Sequence, residues 1–213
     1  MKKIRIAIDG TVGSGKTVTA IRLAQKLGYK PVETGAIFRA IVFYILREKI
    51  NFEDKENLKK VLEKIDIKQE FKNGQIKTFL NGEDITDKLR EKEVEEKVSL
   101  ISKIKEVREK VYEIEKELAK DGGIVMEGRD IGTVVLPDAE VKIFLDADKS
   151  VRAKRRGKGI EEIEARDKED KEREIAPLKI ADDAIYIDTT NLTIEEQVNK
   201  IYEIILNKIK NET

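Results

Sequence analysis
The sequence predicts an α/β protein, a mainly parallel sheet covered on both faces by helices. Three observations carry that expectation. Short apolar runs alternate with stretches of helical period along the 213 residues. The first run leads directly into a Gly-rich turn and then a helix. One internal region changes to a two-residue period around Asn73-Gly74, a hairpin-turn signal that marks a small antiparallel insertion.

The elements follow in order. Residues 3–9 (KIRIAID) read as a short buried strand. An apolar-periodic helix runs from Lys16 to Leu27 and stops at Gly28. Residues 31–34 form a second strand, and Gly35 to Lys49 a strongly apolar helix. The insertion, about residues 64–86, pairs DIKQEF with IKTFLNG across KNGQ. A long helical stretch then covers Asp87 to Ala119, with Val94, Val98, Ile101, Ile104, Val107, Val111, Ile114 and Leu118 stepping by three or four. A helix or helix pair lying on a sheet suits it better than a coiled coil, whose seam would carry leucines. GIVMEG (123–128), VKIFLDA (141–147) and AIYIDTT (184–190) are further strands. A helix opens near Asp148, and the last begins at Thr193 with Glu196 three residues on, a capping box. No repeat and no Gly/Ser-rich linker interrupts the chain, so residues 1–213 are read as one domain.

Composition excludes several chemistries. Cysteine and histidine are both absent. There is therefore no disulfide framework, thiolate nucleophile, Ser–His triad or imidazole-ligated metal. The longest apolar run, Ala40 to Leu46, is too short to span a membrane. Arg5 and Asp9 interrupt what would be the apolar stretch of a signal peptide. Charged residues make up 40%, balanced at 43 basic and 43 acidic, which argues against non-specific nucleic-acid binding. The expectation is a soluble, cytoplasmic protein with no nucleic-acid or membrane partner, and a monomer, since no dimer seam is visible.

The chemistry sits in Gly10-Thr11-Val12-Gly13-Ser14-Gly15-Lys16-Thr17, which fits G-x-x-x-x-G-K-[ST] between a strand and a helix. A polyphosphate needs converging donors on a concave surface. Glycines let backbone N–H groups approach, and the helix N-terminus adds a favourable dipole. Lys16 reaches the β/γ-phosphates, and the Thr17 hydroxyl holds Mg²⁺. This loop serves hydrolases, switches and kinases alike. Arginines offer the acceptor side: Arg129 just past a strand in Gly-Arg-Asp-Ile-Gly, then Arg152, Arg155, Arg156, Arg166 and Arg173. Forked guanidinium groups suit a second phosphate. Taken singly, Arg152 and Arg155 read as part of a solvated charged face.

Nearly the whole chain resembles the bacterial-type cytidylate kinase family. The resemblance lies in IDG-x-x-GSGK-T (8–17), TGAIFRA (34–40), LNGEDIT (80–86), EVEEKVS (93–99), VRE (107–109), GRDIGTVVLPDA (128–139), KIFLDA (142–147), RAKRR (152–156), RD-x-x-D-x-x-R (166–173) and APL-x-x-ADDA-x-x-IDTT (176–190). GRDIGTVV-x-PDA and the APL…ADDA run are its most specific parts. The resemblance implies a P-loop nucleoside monophosphate kinase fold, with a five-stranded parallel sheet, a CMP-binding insertion and a mobile lid. It implies transfer of the γ-phosphoryl group of Mg-ATP to CMP or dCMP in pyrimidine nucleotide metabolism. Lys16 and Arg129 would be catalytic. ATP would bind at Gly10, Thr11, Val12, Gly13, Ser14, Gly15, Lys16, Thr17 and Val18, with Arg156, and the metal at Thr17. CMP would meet Thr34, Arg39, Ser99, Arg108, Arg129, Asp130, Arg166, Asp170 and Arg173. Of these, Arg39, Arg129 and Arg173 would hold the phosphate, Arg166 and Asp170 the ribose, and Ser99, Arg108 and Asp130 the base.

The base assignment is chemically coherent. Cytosine presents an N4 donor beside N3 and O2 acceptors, so a carboxylate accepts while Arg and Ser donate. Uracil would set O4 lone pairs against Asp130. The chain also departs from the family pattern. The lid, residues 157–165 (GKGIEEIEA), is short, with Gly157 and Gly159 as candidate hinges. Glu169 stands where a further arginine is common, with Arg155, Arg156 or Lys158 able to compensate. Phe38 replaces a common tyrosine. Lys105 replaces a common proline, so the long helix is expected to break less sharply.

Overall fold
The computed structural model describes residues 3–211. In chain order the elements are β1 (Arg5–Gly10), α1 (Lys16–Leu27), β2 (Lys30–Glu33), α2 (Thr34–Arg47), α3 (Lys55–Leu62), β3 (Ile67–Lys72), β4 (Gln75–Leu80) and β5 (Glu83–Asp84). A 3-10 turn, Thr86–Arg90, precedes α4 (Lys92–Ile101) and α5 (Lys105–Ala119). Next come β6 (Ile124–Glu127), a π-helical turn Ile131–Val135, β7 (Val141–Asp146), α6 (Lys149–Arg156), α7 (Ile160–Lys171), β8 (Ile185–Asp188) and α8 (Ile194–Asn211). They fall into two compact units, residues 33–120 and the remainder of the chain.

The unit formed by the two ends of the chain holds a five-stranded parallel sheet in the order β2-β6-β1-β7-β8. β1 lies at its centre, with Ile6 level with Val125 on one side and Val141 on the other. Ile6, Ala7 and Ile8 are all fully buried, so the middle of the sheet is covered on both faces, as near-continuous apolar strands require. Ile6, Ile8, Val125, Ile143, Leu145 and Ile187 pack with Leu23 and Ala24 of α1 and Ile201 and Ile205 of α8. The chain leaves β1 toward β2 on one side, while β7 lies on the other. The carboxyl end of β1 is thus a topological switch point, where open α/β sheets place ligands. Gly10 ends β1 at φ 151°, and a Cβ there would run into the Leu145 carbonyl. Only glycine lets the loop leave the sheet this close to β7.

In residues 33–120, β3, β4 and β5 form an antiparallel sheet with Ile67 opposite Leu80 and Lys72 opposite Gln75. Asn73 and Gly74 both have positive φ, 53° and 79°, the turn that the dipeptide predicts. α2 packs on α4 and α5, and α3 on α5. The helical stretch is therefore a pair, and it finds its apolar partners among helices rather than on a sheet. The break is also sharper than expected. Ile104 is extended, with φ −69° and ψ 128°, and Lys105 opens α5 without a proline.

Candidate active site
The P-loop begins at the carboxyl end of β1 and ends at the start of α1. Lys16 is only 5% exposed, and its ammonium donates to the Thr11 carbonyl at 2.6 Å, folding back over the loop. Ser14 Oγ donates to the same carbonyl at 2.9 Å. Thr11 Oγ1 is tied to Asp146 at 2.6 Å. Burial pushes the Lys16 ammonium down to about 7, and Arg129 pushes the same way, against Glu127, Asp170 and Asp9.

The Thr17 hydroxyl donates to Glu127 Oε1 at 2.8 Å. Its proton is therefore engaged, and its oxygen lone pairs are available to a hard cation, which is the chemistry Mg²⁺ asks of a P-loop threonine. Among the described residues no group of three or more acidic side chains forms a cation cage.

Arg152 corrects the charged-face expectation. It is 3% exposed. Its Nε donates to the Ala147 carbonyl at 2.8 Å and its Nη1 to the Val12 carbonyl at 3.0 Å, and Nη1 pairs with Asp167 at 2.7 Å. Asp167 in turn accepts from the Val12 N–H at 3.3 Å. The peptide units of Val12 are held at both ends, and a Cβ on Gly13 would press on the Arg152 carbonyl. Arg155 binds the Thr189 hydroxyl and carbonyl at 3.0 and 2.7 Å, so it too is engaged, though exposed. Arg156 and Val18 are exposed. Gly157 caps α6 with a left-handed backbone, and helix α7 already starts at Ile160, so residues 157–165, expected to form a lid, are partly helical.

Beyond β6 the chain turns through Gly128, Arg129 and Asp130. Arg129 Nε donates to Asp170 at 2.6 Å, and Arg173 pairs with the other oxygen of the same carboxylate. Asp170 is fully buried. Burial alone would raise it, but Arg129 and Arg173 hold it below the usual carboxylate range. Burial lowers Arg129, and Asp170, with Glu127 and Asp167, more than offsets this. Two of the three arginines assigned to the CMP phosphate thus share one acid. Arg166, one helical turn before Asp170, pairs with Glu169 at 3.6 Å. Asp130 is 2% exposed, and its carbonyl accepts from Val134 and Val135 N–H at 2.9 and 3.2 Å.

Residues 33–120 carry the other assigned positions. Arg39 Nε donates to Glu95 at 2.9 Å, with Glu33 at 3.8 Å, and Arg90 pairs with both of these acids. Burial lowers Arg39, and so does Arg90. Arg39 and Arg90 line a cavity of about 200 Å³ with Glu33, Ala36, Ile76, Thr78, Thr86 and Leu89. The Thr34 hydroxyl donates to Glu115 at 2.5 Å. Arg108 is 1% exposed. It donates to the Tyr112 hydroxyl at 2.9 Å and the Ser102 carbonyl at 3.1 Å, and it lies 5.3 Å from the ring centres of Phe38 and Tyr112. Ser102 Oγ also reaches the Ser99 carbonyl at 3.2 Å, which brings Ser99 and Arg108 to one turn.

Sequence reasoning missed Glu127, Asp9 and Arg90. The first two had a readable signal, since each is an acid closing an otherwise apolar strand at the loop edge of the sheet. Arg90 lay in a charge-rich stretch with no such contrast.

The family model described as cytidylate kinase matches residues 6–207. The cytidylate kinase of Caldicellulosiruptor saccharolyticus is 48% identical, covering all of both chains. That of Bacillus anthracis is 47% identical over 96% of this chain and 97% of its own. Among solved structures, a shikimate kinase from Acinetobacter baumannii in complex with shikimate has a TM-score of 0.53 at 14% identity, covering 96% of this chain and 94% of that one. A gluconokinase from Sinorhizobium meliloti has 0.50 at 15%, covering 99% and 96%. At such identities these two speak for the fold alone, a P-loop kinase architecture. With that fold, that loop and relatives matching from end to end, the chain belongs to the cytidylate kinase family.

Proposed function
We propose that the protein transfers the γ-phosphoryl group of Mg-ATP to CMP or dCMP, giving ADP and CDP or dCDP. The observation that carries this reading is the group of buried Lys16 and Asp170 with half-buried Arg129 and Arg173, a P-loop cation and two arginines set for anionic oxygens. An oxygen of the acceptor phosphate attacks the γ-phosphorus, and the bond to the ADP oxygen breaks. The acceptor is already ionised, so no general base is required and histidine is not missed. Catalysis is positioning and charge neutralisation.

Each residue has a task in this reading. The loop from Gly10 to Val18 cradles the ATP phosphates, and Lys16 follows the charge that shifts from the γ-phosphoryl group to ADP. Thr17 would hold Mg²⁺, which would neutralise phosphate charge. Glu127 keeps the Thr17 hydroxyl turned. Arg156 serves ATP. Arg39, Arg129 and Arg173 take the phosphate of CMP, with Asp170 aligning the last two. Arg166 and Asp170 serve the ribose, Thr34 the acceptor, and Ser99, Arg108 and Asp130 the cytosine. The enzyme works in the cytoplasm as a monomer, without nucleic-acid or membrane partners. A chain without cysteine and with balanced charge supports this, and among the described residues no helix is long and apolar enough to cross a membrane.

The test is Asp130→Asn, assayed for kcat/KM on CMP and on UMP. Replacing an acceptor oxygen by a donor removes the pairing with N4 and the conflict with O4. The CMP-over-UMP ratio is expected to fall at least about tenfold. An unchanged ratio would show that cytosine is read elsewhere.

A further inference from the structure
Asp9 ends the apolar run of β1, one residue before the P-loop, and is 4% exposed. A buried carboxylate is costly unless its oxygens are paired. Here both are. Oδ1 accepts from the Ile131 N–H at 2.8 Å and Oδ2 from the Gly132 N–H at 2.7 Å. These two N–H groups open the π-helical turn and, like the first donors of any helical turn, have no partner within it.

The same strand also grips the segment from the other end, since the Gly128 N–H donates to the Ile8 carbonyl at 3.0 Å. Arg129 and Asp130 are therefore bracketed. One bond fixes the residue before them, and two fix the residues after them. Gly132 lies between Asp9 and the stem of Lys142. An added Cβ would come within 3.2 Å of Lys142 Cδ and 3.3 Å of Asp9 Oδ2. The turn has no slack on either side.

We propose that Asp9 is a specificity-positioning residue, whose carboxylate aims Asp130 at the acceptor base by clamping the two residues that follow it. This rests on the reading of Asp130 as the group facing cytosine. Asp9 makes no contact with substrate in this account; apart from its charge beside Lys16, it acts through the turn.

Asp9→Asn keeps the size but leaves one oxygen, and its amide N–H₂ must face a backbone N–H. One of the two clamp bonds is lost. Initial rates with Mg-ATP and CMP or UMP should show KM for CMP raised about tenfold and the CMP-over-UMP ratio narrowed by a similar factor, with KM for ATP within about twofold. Gly132→Ala pushes on the same carboxylate from the turn and should give the same signature, so the test survives if one variant folds poorly. A double variant should be no worse than the poorer single, as for two lesions of one clamp. If both variants lose stability while keeping the ratio, or if KM for ATP rises in step with KM for CMP, Asp9 is a structural support only and the proposal is overturned. Asp130→Asn run alongside separates the two failures. A ratio that moves with Asp130→Asn but not with Asp9→Asn removes the positioning role alone. A ratio unmoved by Asp130→Asn removes the base assignment and the proposal with it.

Discussion
Two opposite charges are buried at the edge of the P-loop, and burial drives both toward neutrality. Lys16 is brought down to about 7, and Asp9 is pushed up to about 7 because desolvation outweighs the two backbone N–H bonds, with Asp130 adding to the rise and Lys16 opposing it. For Asp9 the linkage follows from that upward shift. Its ordinary value is 3.8, so between there and about 7 the folded protein binds more protons than the unfolded chain. Its contribution to stability is complete below about 3.8 and is lost as pH rises through 7. The stability difference between the native protein and Asp9→Asn should therefore shrink from pH 4.5 to pH 7.5, measured by urea unfolding at each pH. A difference that grows with pH would mean that the N–H bonds, not burial, govern this carboxylate. The sequence made Lys16 and Thr17 legible because their spacing in the loop is diagnostic. Of the partners that tune them, Asp9 lies just seven residues before Lys16, whereas Glu127 comes from a strand end 110 residues beyond Thr17, and only the parallel register of β1 and β6 brings it alongside.

At the scale of elements, short-range signals translated well. The Thr193–Glu196 capping box forms as written. Glu196 accepts from the Thr193 N–H at 2.8 Å, and Thr193 Oγ1 accepts from the Glu196 N–H at 3.2 Å. Thr193→Ala should cost about 1 kcal/mol in chemical unfolding, because α8 supplies Ile201 and Ile205 to the core and its first turn loses a cap. No change would mean that packing alone fixes the start of the helix. Elements with weak local signals went unread. α3 carries only Leu58 and Leu62 inward in a lysine-rich stretch, and its one marker is Asp54 accepting from the Asn57 N–H. β5 is two residues long. The break before α5 has neither glycine nor proline to announce it. Arg152 shows the same limit in a side chain. Lys154, Arg155 and Arg156 just beyond it are exposed cations, while its partners Val12, Ala147 and Asp167 belong to three other segments.

Over the whole molecule, an even balance of 43 positive and 43 negative charges conceals strong local organisation. Arginines are concentrated where anionic oxygens are expected, and acids beside them hold their geometry: buried Asp170 for Arg129 and Arg173, half-buried Glu95 and Glu33 for Arg39. The parallel sheet was legible because its strands are apolar runs between helices. The division into two units was not read, although Gly122-Gly123 stands beside one of its boundaries. The central claim is that this organisation serves a cytidine monophosphate as phosphoryl acceptor. It is tested most directly by ADP formation from Mg-ATP with CMP, dCMP, UMP, AMP or shikimate, beside a control without acceptor. The account predicts rates on CMP and dCMP far above all others. A higher rate on another acceptor, or ADP formed equally well with none, would contradict it.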